Sequence, residues 1–310
     1  MTFRRIILSI GAISMFSAAQ AENYLLAYFK GNGEDGLHLA SSTDALHWNA
    51  LNGDRSFLTP KVGGKLMRDP SIVKGPDGVF HMVWTSSWKE QGIGIAHSKD
   101  LVNWSEQSFL PVMKHEPTTR NCWAPEILWD DETKEYLIYW SSTIPDRFPK
   151  TQKSCEKGYD HRTYAVTTKD FKTYSDTKLF YEPGFSVIDP LIRKVGDQWV
   201  MILKDETRYP KAQKNLRVAT ANNLQGPWKT EVKAFTPSWV EGPMPIEVGG
   251  QWIVYYDMYR AHKFGAMRTK DFKKWEDISK LIKLPKGARH GCIIKVPEAV
   301  IKEIKAKTAQ

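Results

Sequence analysis

The sequence predicts an all-β fold, a five-bladed β-propeller whose ring is closed by pairing of N-terminal and C-terminal strands. Three observations predict it. A short motif recurs along the chain, an apolar and aromatic run precedes each copy, and one further run, missing at the N-terminus, appears at the C-terminus. Self-similarity at a fixed period is the mark of a repeat architecture, so the repeats come before any single strand.

The motif Leu39-Ala40-Ser41-Ser42-Thr43-Asp44-Ala45-Leu46-His47-Trp48 returns as Ile95-Ala96-His97-Ser98-Lys99-Asp100-Leu101-Val102-Asn103-Trp104. Residues 163–174 repeat it with Ala165, Asp170 and Phe171. Residues 265–275 do so with Ala266, Asp271, Phe272 and Trp275, and a looser copy spans residues 217–228. Ahead of the copies lie runs at 24–29, 79–85, 136–141, 198–203 and 251–256, rich in β-branched and aromatic residues and bounded by Gly or Asp, as strands are. Four of these runs follow a shorter one, opening at Asp69-Pro70, Ala124-Pro125-Glu126, Asp189-Pro190 and Glu241-Gly242-Pro243. The fifth short run, Arg289-His290-Gly291-Cys292-Ile293-Ile294, sits at the far end of the chain, where it completes the sheet begun by the N-terminal strands. Closure of this kind protects edges that would otherwise pair with other chains. Residues 297–310 are charged and read as a short helix or a frayed tail.

Of the 310 residues, 1–21 read as a signal peptide: Arg4 and Arg5, an apolar run from Ile6, then Ala19-Gln20-Ala21. Residues 22–310 read as a single propeller domain, with no linker or shift in composition. The apolar run is shorter than a membrane span, and no later segment approaches one, so the protein is expected to be secreted or periplasmic with no membrane span. The formal net charge of +9 falls to +7 without Arg4 and Arg5. The lysines are scattered and accompany no nucleic-acid motif, so they read as a solvated basic surface. Cys122, Cys155 and Cys292 are an odd number for an oxidising compartment, compatible with one disulfide and a free thiol, and their spacing names neither a pair nor a zinc site.

In a propeller the first strand of every blade lines the central channel, so equivalent positions in these strands converge. Asp69 beside Arg68, Glu126, Asp189, Glu241 and His290 are expected there. Carboxylates beside Pro or Gly are poor strand formers, which points to a role other than sheet stability. Acids gathered in a partly desolvated funnel push one another's ionisation apart, leaving one protonated as an acid while another is ionised as a base. Cleavage of a glycosidic bond needs that division, and the residues alone leave inversion and retention both open. Trp48, Trp104 and Trp275 recur in register and read as blade core, whereas Trp123 and Trp239 are expected to stack on sugar faces.

At these residues the chain resembles glycoside hydrolase family 43, five-bladed propeller enzymes that cut arabinose-, xylose- and galactose-containing polysaccharides. The resemblance covers essentially all of residues 22–310 and rests on five motifs in order: Arg68-Asp69-Pro70-Ser71-Ile72, Trp123-Ala124-Pro125-Glu126, Ile188-Asp189-Pro190, Glu241-Gly242-Pro243 and Arg289-His290-Gly291. It implies inversion, with Asp69 matching the base that activates water, Glu241 the acid that protonates the leaving oxygen, and Asp189 the carboxylate that orients this acid and keeps it protonated. It also implies a carbohydrate partner of the plant cell-wall kind, with no cofactor needed for the chemistry. His290 falls where many members place a histidine near a central cation, often calcium, so it is a candidate for metal as well as substrate contact. Arg68 is a candidate for a substrate hydroxyl or for holding Asp69 ionised, and Glu126 for substrate contact. A long polar insertion at residues 143–162 departs from better-known members and is expected to rim the funnel.

Two other readings stand beside this one. A fructan-cleaving propeller glycosidase shares an Arg-Asp-Pro motif and retains configuration, but is expected to carry an appended β-sandwich. A non-catalytic carbohydrate-binding propeller has little use for three buried acids, each of which costs desolvation.

Overall fold

The structure is a computed structural model and describes residues 22–309; the signal-peptide reading of residues 1–21 lies outside the described residues. Five four-stranded antiparallel sheets form the predicted propeller. Blade 2 consists of Arg68–Lys74, Phe80–Thr85, Ile93–Ser98 and Ser108–Leu110, from channel to rim. Blade 3 is Trp123–Asp130, Glu135–Thr143, His161–Thr168 and Lys178–Tyr181. Blade 4 is Val187–Val195, Gln198–Asp205, Asn215–Ala221 and Lys229–Thr230, and blade 5 is Glu241–Val248, Gln251–Met258, Lys263–Thr269 and Glu276–Asp277. Blade 1 is composite: Ala288–Pro297 forms its innermost strand and pairs with Glu22–Lys30, followed by His38–Ser42 and Asn49–Ala50. The closing register runs from Glu22 opposite Pro297 to Lys30 opposite Ala288. Each innermost strand packs against those of both neighbouring blades.

The second strands are apolar on both faces because both faces of a blade are covered. Leu25 points to the core shared with blade 2, among Met82, Trp84 and Leu101, while its neighbour Leu26 points to the core shared with blade 5, among Tyr255 and Met244. The same split recurs between blades 2 and 3 around Val83, Ile138 and Trp140, and between blades 3 and 4 around Tyr139, Met201 and Leu203. Val200, Ile202, Val254 and Tyr256 fill the last interface. Strands buried on both faces carry continuous rather than alternating apolar sequence, and these do.

The repeated motif is a turn. Asp44 Oδ1 accepts the backbone N–H groups of Leu46 and His47, and Asp100, Asp170 and Asp271 make the same pair of bonds two and three residues on. A hydroxyl two residues earlier, on Ser42, Ser98, Thr168 or Thr269, bonds the aspartate's own N–H. Asn223, bonded to the N–H of Gln225, serves the looser copy.

Residues 298–308 settle into a helix that buries Ile301 and Ile304 in the core between blades 1 and 2. Cys122, Cys155 and Cys292 are all buried free thiols. Among the described residues no helix is long and apolar enough to cross a membrane.

Candidate active site

Each innermost strand is irregular at its start. Proline there donates no hydrogen bond to the ladder, and the register shifts between Arg68 and Ser71, Trp123 and Glu126, Ile188 and Leu191, and Glu241 and Met244. The residue before each proline turns to positive φ: Asp69 at 53°, Ala124 at 46°, Asp189 at 51° and Gly242 at 57°. Such bulges re-aim side chains, here toward the channel mouth where the innermost strands begin and the second strands end.

The alignment this imposes corrects one expectation. Asp69, Ala124, Asp189, Gly242 and His290 are equivalent, so the five titratable residues do not share one position. Glu241 stands one residue earlier, beside the mouth, and Glu126 two residues later, past it. Glu126 takes a hydrogen bond from Ser71 Oγ at 2.5 Å and lines a cavity of about 370 Å³ at the opposite end of the channel, with Arg193, Trp199 and Lys295. Burial pushes its carboxyl up to about 8. The structure therefore does not bring Glu126 to the mouth with the other acids.

At the mouth, the blades contribute a ring of alternating charge. His290 Nε2 lies 2.9 Å from Asp69 Oδ1, and Thr85 Oγ1 donates to Asp69 Oδ2 at 2.7 Å. Burial would raise the Asp69 carboxyl, but His290, Thr85 and the Arg68 charge together hold it down at about 2. His290 is pushed the other way: burial opposes its charge, and Asp69, Asp257 and Asp189 outweigh that and raise it well above its ordinary range. Asp189 Oδ2 accepts the N–H of Gly242 at 3.0 Å, and burial, with the charge of Glu241, raises Asp189 to about 6 against the pull of His290. Glu241 is bracketed by Lys204 Nζ at 3.2 Å and Arg289 Nη2 at 3.1 Å, while Arg289 Nε donates to Asp257 Oδ2 at 2.5 Å. Asp69, Asp189 and Glu241, far apart in sequence, thus meet at one mouth.

Arg68 does not touch Asp69 directly; its guanidinium lies 4.6 Å from the centre of the Phe29 ring and 4.3 Å from that of Trp88, and acts on Asp69 through its charge. Trp123 stacks on Tyr159 of the insertion at 5.0 Å and donates Nε1 to the Trp88 carbonyl at 3.1 Å, so it forms a wall of the mouth. The insertion is fastened by buried Arg162, which bonds Asp160, Glu182 and Thr151. Trp239 lies beneath Arg260, 3.1 Å from the ring centre, so one of its faces is already covered.

Sequence reading missed Lys204, Asp257 and Thr85. Lys204 and Asp257 end second strands, facing Ile188 and Glu241 across the ladder. Their signal was present: a charged residue closing an otherwise apolar run, as in Ile202-Leu203-Lys204-Asp205 and Tyr255-Tyr256-Asp257.

One ligand atom from each of Glu241, Asp257 and His290 falls within 4.8 Å of the others. This donor set does not fit calcium, which takes six to eight oxygen ligands. Glu241 and Asp257 are held by Lys204 and Arg289, and His290 faces Asp69.

A five-bladed propeller that gathers three buried or half-buried carboxylates from separate blades at one channel mouth is built as glycoside hydrolase propellers are. The chain belongs to the family 43-related group of glycoside hydrolases, whose family model, described as "Probable glycosyl hydrolase domain", matches residues 19–301. It is 22% identical to an alpha-L-arabinofuranosidase of Bifidobacterium longum over 90% of this chain, and spans 33% of that enzyme's length. Among solved structures it resembles the alpha-L-arabinofuranosidase of Lactobacillus brevis, with 17% identity, a TM-score of 0.53, and coverage of 69% of this chain and 72% of that one. It also resembles an exo-beta-1,3-galactanase of Phanerochaete chrysosporium, with 12% identity, a TM-score of 0.54, and coverage of 83% and 54%. At such identities the likeness to solved structures is one of fold.

Proposed function

We propose that the protein is an inverting glycoside hydrolase of arabinose-, xylose- or galactose-containing glycans, with Asp69 as base and Glu241 as acid. The observation that carries this reading is the unequal treatment of carboxylates at one mouth: Asp69 is held ionised at about 2, while Asp189, behind Glu241, is raised to about 6. Asp69 takes a proton from water, whose oxygen bonds to the anomeric carbon as the glycosidic C–O bond breaks. Glu241 gives its proton to the departing oxygen, and the sugar leaves with inverted configuration. Asp189 fixes the backbone that carries Glu241 through the Gly242 N–H. Lys204 and Arg289 position the Glu241 carboxylate.

The arabinofuranosidase and galactanase names of the relatives support these sugars, and a cell-wall glycan is the natural polymer to carry them. We read the central cation as the His290 imidazolium, with Arg289 and Lys204 beside it, in place of a bound metal. The proposal also places the enzyme outside the cytoplasm, on the pattern of residues 1–21.

Hydrolysis of nitrophenyl arabinofuranoside, xyloside, galactoside and galactofuranoside by the wild type, with proton NMR of the first anomer released, tests the reading. Asp69→Asn and Glu241→Gln are each expected to lose about 10²–10⁴-fold in kcat, and Glu241→Gln least on the leaving group that needs no proton. A first anomer of retained configuration would refute inversion; sugar binding without turnover on any glycan would favour a lectin.

A further inference from the structure

The glycosidase reading leaves unused a pair of arginines at the mouth. Arg208 and Arg260 follow the second strands of blades 4 and 5, and both lie over the ring of Trp239, at 5.5 and 3.1 Å from its centre. Neither makes an ion pair with a carboxylate among the described residues, although Lys204, Lys214, Arg217 and Arg289 nearby all do. Trp239 itself is held at a φ of 70°, rare for a bulky residue, by the carbonyl of Lys214, which accepts the N–H groups of Trp239 and Val240 at 2.7 and 3.1 Å. Strain of this kind persists where surrounding structure imposes it and often marks a ligand clamp.

The place of this platform matters. Trp239 stands two residues before Glu241, and Tyr259, adjacent to Arg260, lies beside Lys204, which contacts Glu241 at 3.2 Å. Glu241 is the group that faces the leaving oxygen, so the arginines border the sugar on the leaving side. Stacking on a ring holds a guanidinium plane in a set orientation while leaving its N–H fork free to meet an anion bidentately.

We propose that the leaving-group side of this site takes a sugar carrying an anionic substituent, a uronate carboxylate or a sulfate ester, bound by Arg208 and Arg260 on the Trp239 platform. The substrate class is then an acidic glycan. This inference rests on the glycosidase reading for the direction of cleavage.

The test uses the full chain and three matched substrates: an arabinogalactan oligosaccharide with glucuronate substituents, the same material after reduction of the carboxyl to an alcohol, and a sulfated galactan oligosaccharide. Wild type is expected to favour the uronate or the sulfate over the reduced form by about tenfold or more in kcat/KM, the scale of a charge-assisted hydrogen bond. That ratio should shrink as salt rises and fall toward one in the double variant Arg208→Gln/Arg260→Gln. The wild-type ratio needs no variant to fold. Which anion is preferred identifies its source. A ratio at or below one for both anions overturns the proposal. If no substrate is cleaved, calorimetric binding of the same three probes still decides: preference for the charged form upholds the anion site while the hydrolase reading fails, and equal binding overturns the anion site.

Discussion

The imidazole of His290 and the carboxylate of Asp69 meet at 2.9 Å across the seam where the C-terminal strand completes blade 1. Ring closure therefore brings Asp69 the partner that does most to lower its carboxyl: without the last strand, buried Asp69 keeps only Thr85 and the charge of Arg68. Breaking a buried charge pair costs about 3–5 kcal/mol. His290→Gln is expected to lose stability near the lower end of that range, about 3 kcal/mol, read from urea unfolding. Its kcat/KM profile should show the acid limb moving to higher pH, because Asp69 loses what holds it near 2. An unmoved acid limb would remove His290 from the control of Asp69.

The same charges bear on metal dependence. Arg289 holds Asp257 Oδ2, and Arg289 and Lys204 hold the two oxygens of Glu241, so on the proposed reading of the axis as an imidazolium centre a chelator has nothing to withdraw. Prolonged treatment with EDTA is expected to leave both the thermal midpoint and kcat/KM unchanged. A fall in either that added calcium restores would overturn the reading of the axis as an imidazolium centre.

Burial and the neighbouring charge of Glu241 raise Asp189 to about 6. Asp189→Asn removes one charge while keeping the side-chain oxygen that accepts the Gly242 N–H. The limb of kcat/KM set by Asp189 near pH 6 should therefore be lost, together with a fall in kcat. A limb that stays in place would mean that Asp189 acts through position alone.

Gly242 is fixed by space as well as by φ. A Cβ built there would stand 2.0 Å from His290 Cγ, and the imidazole, pinned between Asp69 and Phe29, cannot yield. Left-handed backbone alone costs an alanine about 1 kcal/mol. Gly242→Ala should therefore lose well over 1 kcal/mol in urea unfolding and most of its kcat, whereas Gly249→Ala, with a φ of 56° and open space around it, should lose only the backbone cost.

These cases show what a sequence can and cannot display. The blades were legible because an apolar strand precedes each copy, a turn aspartate marks four of them with Asn223 in the fifth, four short runs open at a proline-containing start, and the displaced Arg289-His290-Gly291 completed the count. Asp69, Asp189 and Glu241 were legible as members of a mouth. The depth of Glu126 was not, because its displacement arises from a bulge that slides the register between Trp123 and Glu126, and identity along the chain does not reveal register. Lys204 and Asp257 were hidden for a related reason: their roles follow from standing across a ladder, opposite Ile188 and Glu241. The stacking of Arg260 on Trp239, which turns an expected sugar platform into an arginine platform, is a tertiary contact between separate loops.

Stability against pH carries the signs of several buried groups. His81 Nδ1 lies 2.8 Å from His97 Nδ1, and burial with that neighbour's charge lowers His81 to about 4; burial lowers His97 too, and takes buried His161 to about 3. An imidazole depressed in the fold is protonated first in the unfolded chain, so its contribution is whole above about 6.5 and is lost as pH falls toward the folded value. His290 runs oppositely: raised in the fold, it contributes fully below about 6.5 and is lost as pH rises toward its folded value. Glu126, raised to about 8, and Asp189, raised to about 6, also lose stability with rising pH and offset part of the imidazole effect below neutrality. Three imidazoles outweigh two carboxyls on the acid side, and His290 and Glu126 act together on the alkaline side. The urea midpoint is therefore expected to peak near pH 6.5 and to fall toward both pH 4.5 and pH 8.5. His81→Phe should flatten the acid slope alone; a midpoint that rises steadily from pH 6.5 to 8.5 would contradict the raised His290 and Glu126.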